Sequence, residues 1–229
     1  RPPRSTPKPS SAASDVYKRQ DLMANDLVKS KAPIIPEALE HVGHFQTRNR
    51  GTIGGSLCHL DPAAELPCLM AAYDANLTVQ GPEGQREIPF IEWPLAYMIP
   101  NLAPDELLTK ISFRYWSLNH GFGFEEFARR HGDFAIVAVA ALLEVDDGKI
   151  TRAAISIGGA NISPVRLVKA EEALIGMLAN EDTYKVAADI AQEIESISDA
   201  YVTSQYRQRL AGTLVQRALV KAGDRVNMS

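Results

Sequence analysis

Two adjacent glycines, Gly54 and Gly55, lie at the centre of the stretch that most constrains this chain of 229 residues. The stretch runs Arg-Asn-Arg-Gly-Thr-Ile-Gly-Gly-Ser-Leu over residues 48–57 and is closed by Asp-Pro-Ala-Ala-Glu-Leu-Pro over residues 61–67. Glycine lets backbone N–H groups approach a ligand without an intervening Cβ, and it tolerates positive φ. We therefore predict a loop that precedes a helix and holds an oxygen-rich, anionic ligand such as a nucleotide cofactor.

Charge and cysteine content exclude several classes of protein. The formal net charge is −4, although the first twenty residues are basic, so the remainder is acidic and lacks the basic face that a nucleic-acid partner requires. Cys58 and Cys68 form no Cys-x-x-Cys motif, which argues against a disulfide framework, a zinc site or an iron–sulfur site. The cysteine content fits a reducing compartment, and we expect a cytoplasmic protein.

No membrane span is expected from the apolar runs of the sequence. The longest of them, residues 134–143, is half the roughly 20 residues that a spanning helix needs.

Residues 1–20 are rich in proline, serine and threonine and contain few apolar side chains. We expect this segment to be disordered, and its sequence resembles a cloning or assembly scar more than part of a native domain. A transit peptide is an alternative reading of its arginine and serine content.

The remainder is predicted to be an α+β protein with two domains, residues 21–116 and 117–224. Strands are expected at 76–80 and 86–90, joined as a hairpin by Gly-Pro-Glu-Gly at residues 81–84, and at 107–113. Two more are expected at 134–145 and 150–157 around a tight Asp-Asp-Gly turn. Helices are expected at 37–43, at 67–73 after the turn at Pro62, from Pro164 behind a Ser163 cap, at 181–196 and at 205–222. In the last helix, Tyr206, Leu210, Leu214 and Ala218 recur every four residues as a core-facing stripe.

Three motifs together resemble one known family. The glycine stretch is similar to the second flavin-binding motif of the FAD-carrying medium subunits of molybdenum hydroxylases, the xanthine dehydrogenase and carbon monoxide dehydrogenase family. Residues 124–135, Phe-Glu-Glu-Phe-Ala-Arg-Arg-His-Gly-Asp-Phe-Ala, resemble the opening of that family's C-terminal flavoprotein domain. Residues 157–166 resemble its second strand and the helix start that follows. The resemblance covers about residues 21–222.

The resemblance implies a fold, a cofactor and a set of site residues. The fold would be the remainder of a PCMH-type FAD-binding domain, an antiparallel sheet with helices, followed by a smaller domain with a three-stranded antiparallel sheet and a helical bundle. FAD would be the cofactor. The residues expected to bind it by resemblance and position are Thr52, Ile53, Gly54, Gly55, Ser56, His59, Glu65, Leu107 and Arg129.

Two of these assignments keep an alternative. Glu65 matches an acidic position that accepts hydrogen bonds from cofactor hydroxyls, although a solvated acid on a first helical turn would look the same. Leu107 aligns with an apolar residue beside the flavin ring, and it is equally compatible with an ordinary core position.

The sequence departs from the family pattern in two places. Glu125 stands where some relatives have a lysine near the flavin, and Arg129 or Arg130 is the candidate for supplying that positive charge, with a surface ion pair as the alternative. The Ala-Gly-Gly-rich loop of the upstream FAD-binding subdomain is not found in residues 1–20. We therefore expect a truncated chain that is inactive and without FAD on its own.

No residue is predicted to be a catalytic acid, base or nucleophile, and no metal site is expected. His41 and His44 share a helical face, but no third ligand completes a zinc pattern. The resemblance implies an oxidoreductase subunit that takes electrons from an iron–sulfur small subunit, ultimately from a molybdopterin large subunit. These electrons would pass through FAD to NAD or a quinone. The alternative is a non-catalytic scaffold of the same complex.

Overall fold

The computed structural model describes residues 18–43 and 45–227. Helices α1 to α6 span Arg19–Ala24, Asp26–Lys31, Ile34–His41, Phe45–Arg50, Ile53–His59 and Glu65–Ala72. All eight residues of α6 are buried, which agrees with its almost uniformly apolar sequence. This helix is the central element of the first part of the chain.

An antiparallel sheet of three strands follows α6, in the order β2-β1-β5. Its strands are β1 (Asn76–Gly81), β2 (Gly84–Pro89) and β5 (Leu107–Ser112). Gly81 pairs with Gly84, which confirms the predicted hairpin. A short ribbon formed by β3 (Pro94–Ala96) and β4 (Ile99–Pro100) lies between β2 and β5 in the chain.

The second part contains four antiparallel strands in the order β6-β7-β8-β9. They are β6 (Gly121–Phe127), β7 (Val137–Asp146), β8 (Lys149–Gly158) and β9 (Val165–Arg166). Helices α7 (Val168–Leu174), α8 (Glu181–Ala191) and α9 (Ser204–Asn227) complete this part. Side chains alternate along β7, so Val137 and Val139 pack with these helices while Ala138 and Ala140 join the core of the first part.

Strand β6 contacts α9 directly through two glycines. A Cβ at Gly121 would lie 2.0 Å from the carbonyl oxygen of Ala222, and a Cβ at Gly123 would lie 2.2 Å from that of Ala218. Any other residue at these two positions would force the helix away from the strand. The small residues therefore allow the backbones of β6 and α9 to approach this closely.

The α+β class is confirmed, and one sheet is larger than expected. The predicted three-stranded sheet has a fourth strand, because Val165 and Arg166 pair with Ile157 and Ser156 of β8. The helix predicted to start at Pro164 therefore begins at Val168. The strand predicted from Phe134 begins at Val137 instead.

Two further helix predictions need correction. Helix α6 begins at Glu65, so Pro67 lies within its first turn, where a proline removes no helical hydrogen bond. In α9, the buried stripe includes Leu214 and Ala218 but excludes Tyr206, which is 39% exposed.

The segment expected to be disordered is partly within the described chain. Arg19 begins α1, and Lys18 forms an isolated β-bridge with Thr52, so residues 18–20 belong to the folded body. The backbone N–H of Arg19 donates to the carbonyl of Gly51 at 2.9 Å, which explains why the boundary lies before residue 21. Residues 1–17 and His44 lie outside the described residues.

Candidate functional site

Helix α5 carries the glycine pair, and Thr52 occupies its N-cap position. The hydroxyl of Thr52 accepts a hydrogen bond from the N–H of Gly55 at 3.0 Å, and its carbonyl accepts one from the N–H of Ser56 at 3.1 Å. Within the described chain, no acceptor pairs with the backbone amide of Gly54. The first turn of α5 thus presents this donor at the positive end of the helix.

The glycine pair is helical, which corrects the predicted loop. Gly54 and Gly55 lie in α5, and neither adopts positive φ. A Cβ at Gly55 would lie 3.0 Å from the Thr52 hydroxyl oxygen. Glycine at position 55 therefore leaves room for the capping hydroxyl of Thr52. It is not required there by an unusual backbone conformation.

One cavity beside the first turn of α5 has a volume of about 420 Å³. Thr52, Ile53 and Gly54 form part of its wall, and the remaining wall is largely apolar. Its apolar side chains come from α1, α2, α3 and the region of β5: Leu22, Val28, Ile35, Leu108, Ile111 and Phe113. We call it the apolar cavity.

A second cavity, of about 840 Å³, also borders α5. Gly55, Ser56 and His59 belong to its wall, and so does Glu65 at the start of α6. Further polar or charged side chains complete it: Arg19, Gln46, Thr47, Arg50, Asp61 and Asp133. We call it the polar cavity; it brings together donors and acceptors of both charges.

Glu65 is the most deeply buried acid of the polar cavity, with only 7% of its surface exposed. Burial raises the pKa of this carboxyl above its usual value, whereas its own backbone N–H and the charge of Arg19 act in the opposite direction. A carboxylate in this position can accept hydrogen bonds from hydroxyl groups of a ligand.

Glu126, on β6, lines neither cavity but lies close enough to Glu65 for their charges to interact. Its Oε2 atom is shielded from solvent and has no hydrogen-bond partner among the described residues. Burial, and secondarily the charge of Glu65, raise the pKa of Glu126 to about 8. Its proximity to Glu65 depends on the register of the second sheet, which no motif in the sequence reveals.

The structure places Leu108, and not the predicted Leu107, beside the candidate site. Leu107 is 43% exposed and borders neither cavity, whereas Leu108 is buried and lines the apolar cavity. Because neighbouring residues of a strand point to opposite faces, a shift of one position moves a side chain from the site to the surface.

Arg129 lies apart from the polar cavity. Its guanidinium stacks on the ring of Tyr201 at 4.5 Å, and it lines a third cavity of about 400 Å³ that shares Asp61 and Phe134 with the polar one. Glu125 forms an ion pair with Lys221 at 2.7 Å on another side of β6. The structure therefore brings seven of the nine expected residues to the two cavities beside α5 and places Leu107 and Arg129 elsewhere.

No group of three or more potential metal ligands occurs among the residues that the structure describes. The ring of His41 packs against that of Phe124 with 5.4 Å between centroids, and burial lowers its pKa. No helix in residues 18–43 or 45–227 is long and apolar enough to cross a membrane.

Comparisons with known proteins agree with this architecture. A family model described as the FAD binding domain in molybdopterin dehydrogenase matches residues 16–116, and the CO dehydrogenase flavoprotein C-terminal domain matches residues 122–222. The 6-hydroxypseudooxynicotine dehydrogenase complex subunit alpha of Paenarthrobacter nicotinovorans is 36% identical over 203 residues, covering 88% of this chain and 69% of its own.

Two solved structures share the fold. Carbon monoxide dehydrogenase from Hydrogenophaga pseudoflava superposes with a TM-score of 0.87 at 30% identity, over 90% of this chain and 72% of the other. Quinoline 2-oxidoreductase from Pseudomonas putida 86 gives a TM-score of 0.85 at 32% identity, over 90% of this chain and 72% of its own.

This chain belongs to the FAD-binding medium subunits of the molybdenum hydroxylases. Its cofactor is FAD, and the residues beside α5 fit that group. The amide donor of Gly54 and the positive helix end suit a diphosphate oxygen, and the buried Glu65 suits hydroxyl groups. The apolar cavity, which borders Thr52, Ile53 and Gly54, offers carbon surface to a flat ring.

The medium subunit is thus an oxidoreductase component of multi-subunit complexes.

Proposed function

We propose that this subunit carries electrons, by means of its FAD, from an iron–sulfur small subunit to an acceptor such as NAD or a quinone. A molybdopterin large subunit would be the ultimate source of these electrons. The observation that supports the proposal is the polar cavity, where the first turn of α5 and the buried Glu65 border one space. When bound, FAD would supply a group that takes up electrons one at a time, as an iron–sulfur donor delivers them, and passes them on singly or as a pair.

The protein's contribution is to bind and orient the cofactor. Thr52 holds the first turn of α5 in place, so that the amide of Gly54 is available to a ligand oxygen. Ser56, His59 and Glu65 would complete the wall with a hydroxyl, an imidazole and a carboxylate. For Leu107 and Arg129, a role in cofactor binding stays a prediction.

We also propose, from the sequence, a division into two domains and a cytoplasmic location. The domain division at residues 21–116 and 117–224 is supported by two family models that meet between residues 116 and 122. A cytoplasmic location is supported by the fully buried thiol of Cys68, which forms no disulfide among the described residues.

The experiment is purification of the full chain together with its natural partner subunits, followed by visible spectroscopy. A flavin spectrum that bleaches when the complex receives its reducing substrate, and returns with an added acceptor, supports the proposal. A matched complex that carries Glu65→Gln should contain less flavin per chain.

A complex that oxidises its substrate at an undiminished rate without flavin would contradict the proposal. In that case the chain would serve as a scaffold between its partners, which was the alternative reading of the sequence.

A further inference from the structure

One row of paired residues crosses the strands β6, β7 and β8 on the face of the second sheet next to α6. Its side chains are small except at the β6 end, where Glu126 lies. Glu126 on β6 lies opposite Ala138 on β7, and Ala138 lies opposite Gly158 on β8. Directly paired residues of antiparallel strands share a face, and Ala138 belongs to the core of the first part. The side chain of Glu126 is therefore directed toward the same face of the sheet.

Residues 62–68 pack against the Gly158 end of this row, and this segment includes part of the wall of the polar cavity. A Cβ at Gly158 would lie 3.1 Å from the carbonyl oxygen of Pro62 and 3.3 Å from the Cβ of Cys68. Glu65 stands between these two positions in the sequence and begins α6. The second sheet thus packs against the start of α6, and Glu126 lies at the β6 end of the row that makes this contact.

The Glu126 carboxyl is placed where a full negative charge is poorly stabilised. Its Oε2 is buried without a hydrogen-bond partner in the described part of the chain, and the negative charge of Glu65 acts on it. Two neighbouring carboxyls in a low-dielectric site cannot both ionise without a large cost.

Other charged groups do not offset this repulsion. On α3 and α9, the charged side chains near β6 are engaged with one another, with Glu125 or with the backbone of Phe124: Glu37, His41, Lys221 and Arg225. Strand β7 presents only apolar residues opposite this end of β6, namely Val137, Ala138 and Val139. On the side of Glu65, the charged neighbours are Arg19 and Asp61.

We propose that Glu126 is a positioning residue for Glu65. The two carboxyls act as a coupled pair that carries one negative charge, with the proton on Glu126 and the charge on Glu65 at the wall of the polar cavity. This arrangement keeps Glu65 ionised, so that it can accept hydrogen bonds from cofactor hydroxyls. Because Glu126 stays neutral, no second negative charge near the site repels the phosphates of FAD. The inference rests on the proposed role of Glu65 in binding FAD.

The pair makes FAD affinity sensitive to alkaline pH. When Glu126 loses its proton above about pH 8, a second charge appears beside Glu65 and opposes the binding of an anionic ligand. Because one proton is linked to binding, the affinity of the wild-type protein should fall roughly tenfold between pH 7 and pH 9.

The test compares FAD titrations of the full chain, in the complex with its partners, at pH 6, 7, 8 and 9. Glu126→Gln keeps the size of the side chain but cannot ionise, so its affinity should change less than about twofold over this range. Glu125→Gln is the matched control, since Glu125 is the next residue of β6 and pairs with Lys221. It should keep the tenfold loss of the wild type.

A second measurement needs no FAD. Thermal unfolding of the cofactor-free protein should show the midpoint falling from pH 5 to pH 8 in the wild type, because the folded state holds a proton that the unfolded state releases. This fall should be smaller in Glu126→Gln.

The inference is overturned if FAD binds but the Glu126→Gln variant shows the same alkaline loss as the wild type, or if its unfolding midpoint has the same pH dependence. Absence of FAD binding at every pH would contradict the proposed function itself, and this inference with it.

Discussion

The indole N–H of Trp93 donates a hydrogen bond to the carbonyl of Leu57 at 2.9 Å. Both side chains are fully buried, and the two residues are separated by 36 positions in the chain. Leu57 lies in α5, so this bond ties the helix that borders both cavities to the segment before the β3–β4 ribbon. The position of the candidate site thus depends on a contact far outside its own motif.

Trp93→Phe should lower the free energy of unfolding by about 1 to 2 kcal/mol, because the Leu57 carbonyl would be left buried without its donor. FAD affinity should fall as well, since α5 loses its anchor. Chemical denaturation and FAD titration measure the two effects. Trp116→Phe is the control: this indole packs against Arg152 at 3.9 Å and should affect stability without weakening FAD binding. Equal losses of FAD affinity in both variants would argue against an anchoring role.

Thr52→Ala should reduce stability by about 1 kcal/mol through loss of the N-cap hydrogen bond to Gly55. It should also weaken FAD binding, because the Gly55 amide and the first turn would no longer be held. Thr52→Ser retains the hydroxyl and should behave like the wild type in both measurements. If the serine variant binds FAD as poorly as the alanine variant, the capping hydroxyl is not the relevant group.

Gly123→Ala should destabilise the fold by about 3 kcal/mol, since the new methyl group would lie 2.2 Å from the Ala218 carbonyl oxygen and overpack the β6–α9 contact. In Gly81→Ala, the nearest atom is the Cγ of the Glu106 side chain at 3.0 Å, a much milder overlap, so that variant should lose much less. Thermal unfolding of the two variants side by side measures the difference. Similar midpoints would mean that β6 and α9 do not pack as closely as described.

We expect FAD affinity to fall at acid pH because the Glu65 carboxylate becomes protonated. Its pKa is raised above the usual 4.5 by burial, so protonation, and with it the loss of a charged acceptor, begins at a higher pH than for an exposed glutamate. Glu65→Gln should bind FAD about tenfold or more weakly at pH 7 and should show no further loss on acidification. Titrations from pH 7 to pH 5 check both points; an acid loss that persists in the variant would have to come from another group.

The fold could be predicted from the sequence wherever local signals and tertiary structure agree. The hairpin that joins β1 to β2 and the turn at Asp147 and Gly148 follow from turn chemistry, and both glycines involved, Gly84 and Gly148, adopt positive φ. The α5 helix could not be predicted in this way, because two glycines disfavour a helix locally. Its cap by Thr52 and the burial of Leu57 outweigh that preference.

The site was predictable only as far as its motif extends. Thr52, Ser56 and Glu65 belong to one continuous stretch, and the structure brings them to the two cavities beside α5. Leu108 and Glu126 escaped prediction for a physical reason: their contributions depend on which face of a strand each residue occupies. Strand register is fixed by long-range pairing, which a single sequence does not display.

The most direct test of the central claim is an experimental structure of the protein with FAD bound, in the complex with its partners. We expect an oxygen atom of the cofactor within about 3 Å of the backbone amide of Gly54, and hydroxyl groups of the cofactor at hydrogen-bond distance from the Glu65 carboxylate. FAD bound elsewhere on the subunit, with this amide and Glu65 free of contact to it, would contradict the account.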